Sequence, residues 1–229
     1  MRLKKSIYCV NDSYVIVSDY MSGKMEGMPA ISTSCLCNPR CLKRLEEGVG
    51  ICKACFAADG LAYKKGLREN CVQNYMVLNS GVLPVDELPI FKSDVKHVRF
   101  EAFGDVGSVT QCLNYINICN ANPHVTFAMW TKNPDYWHEA IEDIGKPDNL
   151  ICILSSQNLN EEISIGKYYW LDHTFTVYEL EYLNNNNINH NDFINCGGRK
   201  CKTCLRCYDI NNNDFSVKEL LKADQKKIK

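Results

Sequence analysis

A chain of 229 residues, 45% hydrophobic and 23% charged, has the makeup of an ordinary folded protein of one large domain or two small ones. Its net charge of −1 excludes a chain drawn to nucleic acid or acidic membrane by its overall field, though a local basic patch stays compatible with it. No segment approaches the roughly 20 apolar residues of a membrane span, and the basic start Met1–Lys5 is followed by no apolar stretch of a secretory signal.

In chain order, Ile7–Val10 and Tyr14–Ser18, split by Asn11, Asp12 and Ser13, predict a β-hairpin. Gly23, Gly27 and Pro29 mark a loop, and Ala30–Ser34 a short strand. Leu61–Asn79 carries apolar residues at helical spacing and is stopped by Gly81 and Pro84. A strand–helix rhythm follows: strand His97–Phe103, helix Val109–Ile118, strand Val125–Trp130, helix Pro134–Ile144, strand Leu150–Leu154, strand Phe175–Leu180. The run Leu150–Leu154 is apolar throughout, as in a parallel strand buried on both faces. Asn184–Asn187 reads as a polar loop, Phe193–Asn195 as a last strand and Lys218–Lys229 as a basic helical tail.

This alternation implies an α/β fold with a parallel sheet of about six strands, either open and doubly wound or an incomplete barrel. The chain divides into an N-terminal hairpin (1–27), an α/β core (28–195) and a C-terminal cysteine-rich extension (196–229).

Fourteen cysteines are far too many for a chain of this length in a reducing cytoplasm unless they bind metal or do redox chemistry. The first group comprises Cys35, Cys37, Cys41 and, after ten residues, Cys52 and Cys55. Cys52 and Cys55 supply two thiolates on one turn, Cys41 is the nearest third, and Cys35 or Cys37 is an alternative or a fourth. The second group, Cys196, Cys201, Cys204 and Cys207, has gaps of four, two and two residues. That spacing is close to ferredoxin-type runs and lacks the long spacer of a zinc ribbon, so a [4Fe–4S] cluster is expected, with zinc as the alternative. Arg199, Lys200, Lys202 and Arg206 would offset the cluster's negative charge. Cys9, Cys71, Cys112, Cys119 and Cys152 stand alone in apolar settings and read as core residues. The five histidines form no i, i+4 pair, and there is no phosphate-binding loop or nucleophile elbow.

Strict strand alternation puts Arg99, Glu101 and Phe103 on one face, a charged pair that suits a polar cavity. Gly104-Asp105 and Lys132 then fall at the C-terminal rim of the sheet, where ligands gather; Asp105 is also placed to cap the next helix.

Asn38-Pro39-Arg40-Cys41 with Cys52-x-x-Cys55-Phe56-Ala57, the strand Arg99–Asp105, Phe127–Asn133 and the run Cys196–Tyr208 together resemble the phage and prophage gene product 88 family. That family is similar in turn to radical S-adenosylmethionine (SAM) enzymes. The resemblance implies a radical-SAM-like partial (β/α)6 barrel and a [4Fe–4S] cluster on Cys41, Cys52 and Cys55. One open iron would bind SAM, and the C-terminal group would hold an auxiliary cluster. Gly104 and Asp105 would meet the SAM amino group, Lys132 its carboxylate, and Arg99 and Glu101 would line the cavity. The partners implied are an electron donor and an unknown substrate. The chain departs from the usual C-x3-C-x2-C pattern in its ten-residue spacer, and Phe56 stands where a tyrosine is usual.

Overall fold

The strand–helix rhythm folds into one eight-stranded sheet whose strands lie side by side in sequence order. The computed structural model describes residues 5–10, 13–19, 21–48, 50–211 and 215–227. β1 (Lys5–Val10) and β2 (Ser13–Ser18) form the antiparallel hairpin, and β3 (Ala30–Ile31) pairs antiparallel with β2. The hairpin's turn at Asn11 and Asp12 lies outside the described residues. Three helices follow: α1 (Pro39–Glu47), α2 (Phe56–Tyr63) and α3 (Lys65–Ser80). Then come β4 (His97–Phe100), α4 (Val109–Ala121), β5 (Thr126–Thr131), α5 (Pro134–Ile144), β6 (Leu150–Ser155) and β7 (His173–Tyr178). Short helices α6 (Leu180–Asn185), α7 (His190–Phe193) and α8 (Cys201–Cys204) lead to β8 (Ser216–Leu220). From β3 to β8 every neighbouring pair is parallel.

Sequential order without reversal is single winding, so the doubly wound alternative does not hold. Val98, Phe100, Phe127, Met129, Leu150 and Cys152 form one face of the sheet and pack with Tyr115, Ile116 and Trp137 of α4 and α5. Phe100 stacks between Tyr115 and Phe127, with ring centroids 4.1 and 5.0 Å away. Ala128, Ile151 and Ile153 face the other way and are covered by Cys201, Leu205, Cys207 and Tyr208 of the cysteine-rich segment. The sheet therefore has a helix face and a cysteine face.

Several boundaries differ from the sequence reading. The predicted helix Leu61–Asn79 is two helices, broken at Lys64, whose N–H closes α2 on Gly60. The ten-residue spacer, to which the sequence reading assigns no element, holds most of a helix, α1. The predicted strand Phe193–Asn195 is instead the end of α7 and its exit, capped by Asn189. The basic tail does not start as a helix: Ser216–Leu220 is the last strand, with Val217 and Leu220 buried, and only a 3-10 turn, Asp224–Lys226, follows it. It pairs with β7 over five residues, a contact that outweighs local helix preference. Cys71, Cys112, Cys119 and Cys152 are buried as expected; the side chain of Cys9 lies outside the described residues. Among the described residues no helix is long and apolar enough to cross a membrane.

Candidate metal centres

The first cysteine group is assembled by three short motifs that interlock. Asn38 caps α1 by accepting from Arg40 N–H, and Pro39 opens the helix where its missing N–H does no harm. The Asn38 amide also donates to the carbonyls of Asp105 and Val106, at 2.9 and 3.1 Å. Arg40 donates to Lys132 O at 3.0 Å and to Asn133 Oδ1. Asp105 accepts from Thr131 Oγ1 (2.7 Å), Lys132 N (2.8 Å) and Val106 N (2.9 Å). The Asn38–Cys41 motif, the Gly104-Asp105 turn and the Thr131–Asn133 strand end thus form one polar knot. Further along, Gln157 Nε2 donates to Lys132 O, its Oε1 accepts from Arg44, and its main-chain carbonyl accepts from Ile51 N. The spacer between Cys41 and Cys52 is in this way fastened to the end of β6.

Cys35, Cys41, Cys55 and Cys71 share one packed apolar cluster with Ala57, Ala58, Leu61 and Leu67. Cys55 is the N-cap of α2. The Cys35 thiol donates to Cys55, N–H groups of Ala58 and Ala57 point at it, and the Lys132 charge is near. Together these outweigh burial and lower Cys55 to about 6. Cys35, the donor in that pair and itself buried, is pushed well above the usual thiol range. Burial, then the negative charge of Asp105 and of Cys55, lifts Cys41 to about 12. Cys52 lies near enough to Cys41 to act on it electrostatically but stands outside the apolar cluster. The structure therefore brings Cys35 in alongside Cys41 and Cys55.

The residues expected to line a SAM cavity separate. Glu101 adopts a left-handed backbone, φ 55°, which breaks the strand alternation and turns its side chain away from Arg99. Its carboxylate is buried and accepts from Thr33 N, Thr33 Oγ1, Gln111 Nε2 and Tyr115 Oη at 2.6–3.0 Å. Burial raises it to about 7 despite these bonds. Gly104 is needed there: a Cβ would lie 2.6 Å from Glu101 Oε2 and from Thr33 O. Asp105 does sit at the C-terminal rim, but its oxygens already hold the β4 and β5 ends together; burial raises its carboxyl pKa. Asp105 does not cap α4; Ser108 does, accepting from Gln111 N. Lys132 stands close to Cys55 and Asp105.

Arg99 lies on the cysteine face, its guanidinium 3.7 Å from the centre of the Trp130 ring. Trp130, Tyr208, Arg199 and all four cysteines of the second group line a cavity of about 40 Å³. Cys196 is tied to β8 by its N–H to Lys218 O, and Arg206 donates to Asn195 O at 2.6 Å. Burial raises the Cys196 and Cys201 thiols and lifts Cys207 to about 12, while Arg99 works in the other direction on Cys201 and Cys207. Among the described residues no three or more Cys, His, Asp or Glu side chains are arranged to hold a metal ion. Four soft thiols line one cavity, a donor set chemically suited to an iron–sulfur cluster or to zinc, with the Tyr208 hydroxyl left unpartnered beside it. Sequence reasoning had not singled out Tyr208 as a site residue; its place directly after Cys207 was the available signal.

No curated protein and no solved structure matches the chain. The gene product 88 family model matches residues 20–210, which span the knot of motifs and both cysteine groups, and the chain belongs to that family.

Proposed function

We propose that this protein is a phage-type, cytoplasmic iron–sulfur protein that performs one-electron chemistry on an unknown substrate, on a radical-SAM-like partial (β/α)6 barrel. The supporting observation is the placement of the two cysteine groups on a singly wound parallel sheet. One group gathers beyond the C-terminal ends of β3, β4 and β5, and the other lines a cavity on the face opposite the helices. Cys41, Cys55 and Cys52 would hold the first cluster, and Cys196, Cys201, Cys204 and Cys207 the second. Such clusters supply or accept single electrons. Lys24, Arg99 and Arg199 put positive charge around the second group. Anaerobic purification with iron, sulfide and zinc analysis is the test: a brown protein with iron and sulfide is expected, and a colourless zinc protein would refute the reading.

Cleavage of SAM is one form of this reading and requires a shell of only three thiolates. The chain would contribute Lys132 near the open position, whereas the Asp105 oxygens are already engaged within the protein. Incubation of reduced, reconstituted protein with SAM should then release 5′-deoxyadenosine. A specific observation favours a second form, a closed electron carrier: Cys35 packs with Cys41 and Cys55 and would complete a four-thiolate shell. In the closed form, Cys35→Ser removes the first cluster as fully as Cys55→Ser does, and no SAM is cleaved. In the SAM form, Cys35→Ser retains the cluster and Cys52→Ser loses it.

A further inference from the structure

Two donors beside the second cysteine group have no acceptor. Tyr208 is 7% exposed, lines the cavity with the four cysteines, and its hydroxyl has no hydrogen-bond partner among the described residues. The ring is held edge-on against Trp130 and His97, with centroids 6.1 and 5.5 Å away, so the hydroxyl is not free to swing to solvent. Arg99 Nε is buried and equally without a partner, on a guanidinium fixed over the Trp130 ring. Both groups are close enough to Cys201 and Cys207 to interact with their charge. Leaving one buried hydroxyl unsatisfied is costly, and phenylalanine would fill the same space without that cost.

We propose that Tyr208 and Arg99 donate hydrogen bonds to the sulfur atoms of the group held by Cys196, Cys201, Cys204 and Cys207, and thereby favour its reduced state. The inference rests on the reading that this group is an iron–sulfur cluster. Reduction adds one negative charge to the cluster, so a donor aimed at its sulfurs strengthens on reduction and raises the potential. Arg99 would contribute a full positive charge and Tyr208 a neutral hydroxyl. Their role is to tune the centre rather than to ligate it.

The experiment is a dithionite titration of the anaerobically reconstituted full chain, followed by electron paramagnetic resonance. The signal of this centre is identified as the one lost in Cys204→Ala. Tyr208→Phe is expected to lower the equilibrium constant for its one-electron reduction roughly tenfold, a fall of about 59 mV. Iron content and thermal midpoint should not change, which a merely structural tyrosine would not predict. Arg99→Met should shift the potential in the same direction, and Arg99→Lys should recover part of the shift by restoring the charge. If Tyr208→Phe fails to load iron, the Arg99→Met titration decides the matter. A wild-type cluster whose potential is untouched by these substitutions overturns this inference alone. A wild-type chain with zinc or no iron at these four cysteines overturns the cluster reading and the inference with it.

Discussion

Arg40, the residue before Cys41, donates to the main-chain carbonyl of Lys132 across 3.0 Å and so ties the first cysteine helix to the end of β5. Its second bond goes to the buried side chain of Asn133. Arg40→Met removes both and leaves Asn133 Oδ1 without its donor. Hydrogen bonds from a charged donor are each worth about 1.5–3 kcal/mol, so a local loss of that order is expected. Hydrogen exchange should accelerate in residues 38–55 while α4 and β6 stay protected. Unchanged exchange in the cysteine loop would show that Arg40 is not what fastens it.

Gly50 sits in the spacer of the same loop with φ 56°, and a Cβ there would lie 2.1 Å from the main-chain oxygen of Gln157. Neither the backbone conformation nor the neighbour can yield cheaply, because the neighbour is backbone. Gly50→Ala should cost more than about 1 kcal/mol in urea denaturation and reduce iron bound at the first centre. Gly48→Ala, at a position with φ 61° and open space around it, serves as the control and should cost less. Equal losses in the two variants would show that strain, and not contact with Gln157, is what matters.

Glu101 gives the chain a pH signature. Burial holds its carboxyl at about 7 in the folded protein against the usual 4.5. The folded chain therefore binds this proton more tightly than the unfolded chain. The stability it confers is fully present below about pH 4.5 and is lost as pH rises to about 7, a change of order 3 kcal/mol. Glu101→Gln cannot titrate, so the stability difference between wild type and variant should shrink across that window and level off above it. Parallel stability curves for the two proteins would contradict the assignment.

The last strand makes the tail indispensable. Val217 and Leu220 are buried, and burying each such side chain is worth about 1.5–3 kcal/mol. β8 also receives the N–H of Cys196 at Lys218 O and holds the Asn195 side chain between Ser216 O and Lys218 N. A chain ending before Ser216 should lose several kcal/mol of stability and, on the proposed reading, the metal held by the second cysteine group. Metal analysis of the truncated protein showing a full second centre would refute this linkage.

Much of this was legible from residues alone. The βα rhythm gave the parallel core, the unbroken apolar run Leu150–Leu154 gave a strand buried on both faces, and Pro134 stands at a helix start. Both cysteine groups were visible from spacing, since ligands close in sequence announce themselves by their gaps. Family membership was visible in four short motifs, three of which meet in the knot around Asp105.

What the sequence by itself determined is the chemistry at hand: soft thiols in two groups, a parallel α/β core and a rim of polar strand ends. Only the tertiary structure decided which side chains share a site. Alternation placed Arg99 and Glu101 together, but a single left-handed residue sends Glu101 under α4 and leaves Arg99 beside the second cysteine group. Spacing left Cys35 as an alternative or fourth ligand, and packing brings it, from beyond the end of β3, against Cys41 and Cys55. The tail looked helical by composition, and pairing with β7 made it a strand. Periodicity and spacing report only on neighbours in sequence. A positive φ, a thiol delivered from another strand and the last partner of a sheet are set by contacts between residues far apart in the chain.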